Sequence, residues 1–154
     1  MSPENLKNIS IEFYPPRTKE GEENLERAHL RLAALKPDFF SVTFGAGGST
    51  KKGTKNLVLR FKEQGSNVAP HLSFTGIKEK EIRKLLKFYS DAGINRIIAL
   101  RGDFPSGSVK ANRYAKELVE FIRKETGNHF HSVERTIQIL NRPLFHLISF
   151  MIQE

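Results

Sequence analysis

The stretch GINRIIALRGD, residues 93–103, contains the pattern that decides the fold. After the opening Gly93, residues 96–100 form a short apolar segment of the length of a buried strand, and a charged turn follows it. The flanking segments 79–92 and 112–126 repeat apolar residues at helical spacing, and each is followed directly by a glycine that favours the end of a helix. The stretch therefore predicts a strand between two helices.

The same alternation recurs toward the amino terminus. Further strands are predicted at 9–13, 39–44 and 67–72, and further helices at 21–35 and 54–64. Four strand–helix pairs without a hairpin signal indicate an α/β fold with parallel strands. A doubly wound open sheet and a (β/α)₈ TIM barrel both fit this pattern, and the polar residues at the strand ends favour the first four units of a barrel.

Composition restricts the class of protein. At 154 residues the chain is short for a complete barrel, which typically needs about 250 residues. Hydrophobic residues at 38% and charged residues at 27% are typical of a soluble globular protein. The absence of cysteine excludes disulfides, thiolate ligands and a cysteine nucleophile. No apolar stretch is long enough for a bilayer, and the polar amino terminus does not resemble a signal peptide, so we expect a cytoplasmic protein without a membrane partner.

The net charge of +8 would suit an anionic partner. Its distribution argues against nucleic acid, because basic residues alternate with Glu on predicted helix faces, as in residues 78–84. A nucleic-acid-binding domain would rest on charge alone, since no nucleic-acid motif is present. We therefore predict no nucleic-acid partner.

Polar side chains recur at the ends of the predicted strands. Glu12, Thr43, His71 and the turn 101–103 follow one another at intervals of about 30 residues, the length of one strand–helix unit. Parallel strands that start at one level also end at one level, on the face where barrel enzymes assemble their active sites. We therefore expect four separate segments to contribute to one site.

Glu12 interrupts the apolar run Ile9-Ser10-Ile11-Glu12-Phe13. A buried carboxylate costs several kcal/mol unless it is paired or faces a polar cavity. If Glu12 points into a barrel mouth, it is a candidate general acid. The alternative is that Glu12 lies on the solvent side of an edge strand, and the residue alone leaves both interpretations open.

The other polar segments also have two interpretations. The glycine-rich loop 45–50 precedes a helix, where backbone N–H groups can bind phosphate, but glycines equally suit a simple turn. His71 stands alone, without a second ligand at metal-site spacing, so we predict a core or hydrogen-bonding group and no metal site. Arg101 and Asp103 form either an ion-paired turn or a cation and an anion presented to a polar ligand.

These residues closely resemble the methylenetetrahydrofolate reductase family, in the order and spacing of that family from about residue 9 to residue 125. The matching segments are Ile11-Glu12-Phe13-Tyr14-Pro15-Pro16-Arg17, residues 39–49 (FFSVTFGAGGS), Ala69-Pro70-His71-Leu72, residues 93–103 and Tyr114-Ala115. Each segment alone is a weak signal, but together they are highly specific.

The resemblance implies a barrel with FAD at the carboxyl ends of its strands. It also implies hydride transfer from NADH or NADPH through the flavin to 5,10-methylenetetrahydrofolate, a small-molecule substrate, giving 5-methyltetrahydrofolate for methionine synthesis. By the same resemblance Glu12 is the acid that protonates the folate nitrogen, and Asp103 lies near both flavin and pterin. Thr43 is similar to the residue that contacts the nicotinamide cofactor. The positions similar to flavin contacts are Phe44, Ala46, His71, Arg101, Gly102, Asp103 and Ala115.

The carboxyl-terminal segment departs from the family pattern after about residue 131. We expect two parts, namely 1–130 as the amino-terminal half of a flavin-binding barrel and 131–154 as a divergent tail, for which a frameshift with early termination or a split gene is the hypothesis. We expect a covering helix in the tail, formed by Ile137, Ile139, Leu144, Leu147, Ile148 and Phe150. The alternative to a truncated reductase is an inactive fragment that acts only by association with a second half or with itself as a homo-oligomer.

Overall fold

The computed structural model of the chain describes residues 9–44, 51–74, 77–100, 115–134 and 147–149. The elements are β1 (Ser10–Phe13), α1 (Lys19–Ala33), β2 (Phe39–Val42), α2 (Lys51–Glu63), β3 (Val68–Ser73), α3 (Glu79–Asp91), β4 (Arg96–Leu100), α4 (Ala115–Thr126), β5 (His131–Glu134) and β6 (Leu147–Ser149). The four predicted strand–helix pairs are confirmed, and each bound differs from its prediction by about three residues or fewer, the usual uncertainty at element ends.

The strands form one parallel sheet in the order β5-β4-β3-β2-β1-β6. From β1 to β5 each strand pairs with the next along the chain. In the common doubly wound order the chain turns back after three strands, whereas here five consecutive strands follow one another across the sheet and β6 adds to the free edge of β1, where the last strand of a closed barrel pairs. The order therefore identifies the chain as an α/β fold with a partial TIM barrel.

Two strands lie outside the four predicted units. β5 pairs in parallel with β4, and β6 pairs in parallel with the outer side of β1. The prediction that Leu147 and Ile148 belong to a covering helix is therefore wrong, because their backbone groups pair with β1 instead. The other members of that predicted helix, Ile137, Ile139, Leu144 and Phe150, lie outside the described residues.

The predicted helix stops at Gly93 and Gly127 are confirmed. Gly93 adopts a positive φ of 71°, and the N–H of the following Ile94 donates to the Tyr89 carbonyl at 2.9 Å. Gly127 has a φ of 60° and donates to the Arg123 carbonyl at 2.8 Å. These bonds satisfy helix-end carbonyls, and only glycine adopts such a φ without strain.

An aromatic cluster joins β1 and β2 to the helices that cover them. The Phe61 ring of α2 stacks on the His29 ring of α1 with centroids 3.8 Å apart. Phe13 of β1 and Phe40 of β2 contact both rings, at centroid distances between 4.7 and 6.2 Å. Phe13 and Phe40 therefore face the helices, and alternation along each strand directs their neighbours to the opposite face of the sheet.

His29 is buried within this cluster, with 1% of its surface exposed, and its Nε2 lies 3.0 Å from the Ser66 hydroxyl. Burial lowers the pKa of His29 below its usual 6.5, although the nearby charge of Glu26 opposes that shift. Because the unfolded chain then binds the proton more readily, neutral His29 contributes stability that is complete above pH 6.5 and is lost as the pH falls below it.

We predict that chemical denaturation will show the free energy of unfolding decreasing more steeply below pH 6.5 in the wild-type chain than in His29→Leu, which cannot titrate. The other histidines are present in both proteins and cancel in the comparison. Parallel pH profiles for the two proteins would contradict the prediction.

Candidate functional site

The face of the sheet opposite the helices carries a row of polar and small side chains. Glu12 in β1 is in register with Ser41 in β2, and Ser41 is in register with Ala69 in β3. His71 lies two residues beyond Ala69, and so on the same face of β3. All four are buried, with between 0% and 5% of their surface exposed. The fold therefore brings a carboxyl group, a hydroxyl group and an imidazole to one side of three adjacent strands.

Glu12 and His71 are in direct contact. His71 Nε2 lies 3.3 Å from Glu12 Oε2, and both side chains are almost fully buried. Because β2 separates the two strands, the side chains meet across its face, where β2 carries the small Ser41. An imidazole at this distance can stabilise the carboxylate electrostatically when the imidazole is protonated.

The structure decides between the two interpretations of Glu12. β1 is an inner strand that pairs with β2 on one side and β6 on the other, and Glu12 is 5% exposed. The alternative of a solvent-facing residue on an edge strand is therefore wrong. Glu12 is a buried carboxyl group at the carboxyl end of its strand, with a basic neighbour.

Thr43 follows β2 directly, at the same edge of the sheet. Its N–H donates to the Phe13 carbonyl at 3.0 Å, and its carbonyl accepts a 2.8 Å hydrogen bond from the hydroxyl of Thr54, a buried residue of α2. Its side chain is half-buried, as is that of Phe44, which packs against the core. These contacts fix the position at which the chain leaves the second strand.

The remaining predicted site residues divide into two groups. Ala115 is described, and it is the buried first residue of α4. Four predicted positions lie outside the described residues: Ala46, Arg101, Gly102 and Asp103. The last described residue before Arg101 is Leu100, which is in register with Ser73 at the end of β3.

Ser41 is a site residue that the sequence analysis missed. Its side chain is fully buried, and its hydroxyl oxygen has no hydrogen-bond partner among the described residues. A signal was present in the sequence, because Ser41 interrupts an apolar strand two residues before Thr43 and therefore shares its face. Without the register between strands, however, nothing connected Ser41 to Glu12.

Other shifted or clustered groups lie away from this face. Burial raises the pKa of Tyr89, a residue of α3 whose side chain lies in the hydrophobic core. A groove of about 420 Å³ runs between α3 and α4, with Arg83 and Glu125 paired across it at 2.9 Å. Within the described segments, no three His, Cys, Asp or Glu residues are arranged to hold a metal ion.

The described residues fit a flat, polar-edged cofactor such as a flavin at the carboxyl edge of the sheet. His71 presents an imidazole there, and Thr43 and Phe44 supply a half-buried hydroxyl and ring. Such a mixture of apolar surface and a few fixed polar groups is typical of cofactor sites. In the part of the chain that the structure describes, no helix is long and apolar enough to cross a membrane.

Comparison with known proteins gives consistent results. The family model described as methylenetetrahydrofolate reductase matches residues 2–134. A 5,10-methylenetetrahydrofolate reductase of Pectobacterium carotovorum subsp. carotovorum is 40% identical over 127 residues, which cover 82% of this chain and 42% of that protein. The enzyme of the same name from Salmonella typhimurium strain LT2 is 42% identical over 118 residues, or 76% of this chain and 40% of that protein.

A plant protein also matches. Methylenetetrahydrofolate reductase (NADH) 1 of Zea mays is 35% identical over 129 residues, which cover 79% of this chain and 22% of that protein. The chain spans about two-fifths of the length of the bacterial relatives.

Proposed function

The chain belongs to the methylenetetrahydrofolate reductase family, and from this premise we propose that it supplies the general acid and flavin-binding residues of a site that reduces 5,10-methylenetetrahydrofolate to 5-methyltetrahydrofolate. The observation that carries the proposal is the buried contact between Glu12 and His71. A carboxyl group held in this way, at the edge where barrel enzymes bind substrate, suits proton donation to a bound molecule.

Glu12 is the proposed general acid. It donates its proton to the folate nitrogen as the ring that holds the one-carbon unit opens, and it is left as a carboxylate. Burial excludes water, which would otherwise compete for this proton. His71, at 3.3 Å, then stabilises the carboxylate and helps to return a proton to it.

The cofactors of the proposed reaction are FAD and a reduced nicotinamide donor, NADH or NADPH. When bound, FAD supplies hydride transfer between the donor and the folate. Thr43 is the proposed contact of the nicotinamide cofactor. The proposed flavin contacts are Phe44, Ala46, His71, Arg101, Gly102, Asp103 and Ala115, and Asp103 also orients the folate.

We further propose that residues 1–130 are the amino-terminal half of the flavin-binding barrel and that 131–154 form a divergent segment. The family match, which reaches residue 134, and the pairing of β5 with β4 support a boundary a few residues after 130. The site contacts proposed above all precede this boundary.

The test is to purify the chain, record its absorption spectrum and follow the two half-reactions separately. We expect bound flavin that is reduced by a nicotinamide cofactor and reoxidised by 5,10-methylenetetrahydrofolate. Flavin that is reduced but never reoxidised by the folate, under conditions where dioxygen is excluded, would contradict the proposed substrate.

A second candidate is favoured by the outer edge of β5, which pairs with no further strand among the described residues. On this proposal the chain has no activity of its own and acts by association with a separate carboxyl-terminal half or with a second copy. A colourless protein that acquires flavin only when a carboxyl-terminal half from a relative is added would favour this candidate over the first.

A further inference from the structure

Ser41 has a buried hydroxyl for which the fold provides no obvious use. The residue is 0% exposed, and its oxygen has no hydrogen-bond partner among the described residues. A buried hydroxyl without a partner loses the hydrogen bonds that water gives it in the unfolded chain, and this loss destabilises the folded state. An alanine would avoid that cost, so the hydroxyl calls for a specific explanation.

The register of the sheet identifies a polar group on the neighbouring strand at the same level as this hydroxyl. The two cross-strand neighbours of Ser41 are Glu12 in β1 and Ala69 in β3. Neighbouring strands lie about 4.8 Å apart, and their side chains at one level point to the same face. Ala69 cannot form a hydrogen bond through its side chain, whereas the Glu12 carboxyl group can reach toward Ser41 by rotation about its own side-chain bonds.

Ser41 also lies on the face of β2 that the contact between Glu12 and His71 crosses. That contact joins β1 to β3 at 3.3 Å and so crosses the face of β2. A larger side chain at position 41 would occupy the space between the two groups. Serine is small enough to leave this space open, and it adds a buried donor beside Glu12.

We propose that Ser41 is a positioning residue whose hydroxyl donates a hydrogen bond to the Glu12 carboxylate, so that Glu12, Ser41 and His71 form one proton-handling cluster. This inference rests on the proposed function, because Glu12 becomes a carboxylate when it gives its proton to the substrate. The donor from Ser41 then stabilises the charge that develops in the buried site.

The first test measures the contact itself and does not require activity. Free energies of unfolding are measured for the wild-type chain, Ser41→Ala, Glu12→Gln and the double variant. We expect Ser41→Ala to raise the unfolding equilibrium constant about tenfold when Glu12 is present. In the Glu12→Gln background the increase should be less than about threefold. An equal effect in both backgrounds, or a gain in stability in both, would overturn the proposal.

Ser66→Ala is the matched control for this cycle. It removes a hydroxyl that lies 3.0 Å from His29 Nε2 in the helix-facing aromatic cluster. Its effect on unfolding should be the same whether position 12 is Glu or Gln.

The second test separates positioning from structural support. Ser41→Ala should slow the folate half-reaction about tenfold while leaving flavin reduction by the nicotinamide cofactor within about twofold of wild type. Equal slowing of both half-reactions, or no slowing of either, would overturn the positioning role. Failure of the wild-type chain to reduce the folate would instead count against the proposed function, and the unfolding cycle would still decide whether Ser41 and Glu12 are coupled.

Discussion

Glu12→Gln should slow reoxidation of the reduced flavin by 5,10-methylenetetrahydrofolate by about 10²–10⁴-fold, the range that general acids contribute. The amide has nearly the same shape as the carboxyl group but has no acidic proton to donate. Because Glu12 lies beside His71 in a buried cluster, an isosteric change should preserve the packing around it. Flavin binding and flavin reduction by the nicotinamide cofactor should therefore remain close to wild type.

Rapid mixing without dioxygen measures both half-reactions from the flavin absorbance. Glu26→Gln is the matched control, since Glu26 is a half-buried glutamate of α1 that pairs with Arg60 at 3.8 Å on the outer surface. This control should leave both rates unchanged. If Glu12→Gln slowed both half-reactions equally, Glu12 would be a structural residue or a flavin ligand rather than the folate acid.

The second large effect concerns stability. Phe61→Ala should lower the free energy of unfolding by about 3–5 kcal/mol, a large part of the stability of a typical domain. The Phe61 ring is fully buried, and it stacks on His29 and packs on Phe13 and Phe40. Removing it leaves a cavity behind β1 and β2, directly under the strands that carry Glu12 and Ser41.

Urea denaturation measures this loss, and Phe88→Ala is the matched control. Phe88 is only half-buried in α3, with the Lys55 ammonium 3.9 Å from its ring centroid, so its truncation should cost about 1–2 kcal/mol. A cost for Phe61→Ala no larger than that for Phe88→Ala would show that the aromatic cluster does not stabilise the sheet as described.

The elements that the sequence predicted correctly have strong local signals. Apolar residues at helical spacing mark α3, and a glycine suited to a positive φ ends it at Gly93. The apolar segment 96–100 is too short for a helix, and it forms β4 with the predicted bounds. Glu12, Thr43, His71 and the segment 101–103 were predicted to share one edge because their spacing matches a strand–helix unit. The structure places the first three at that edge, and 101–103 lie outside the described residues.

The features that were missed depend on how distant segments pair. Leu147 and Ile148 have spacing compatible with a helix, but pairing with β1 outweighs this local preference. The contact between Glu12 and His71 requires both the strand order and the facing of each side chain, and a single sequence contains neither. For the same reason the alternation of strands and helices alone did not separate a doubly wound sheet from a barrel. The barrel was predicted from the polar residues at the strand ends, and the order of the strands supports it.

The pairing of β6 with β1 has a consequence for barrel closure. In a closed eight-stranded barrel the last strand runs parallel to the first and bonds to its outer edge. Here the three residues of β6 already bond to that edge, opposite Ser10, Ile11 and Glu12. A strand supplied by another polypeptide would have to compete for the same amide and carbonyl groups of β1. Completing the barrel would therefore require β6 to leave β1 and the new strand to take its place beside Glu12.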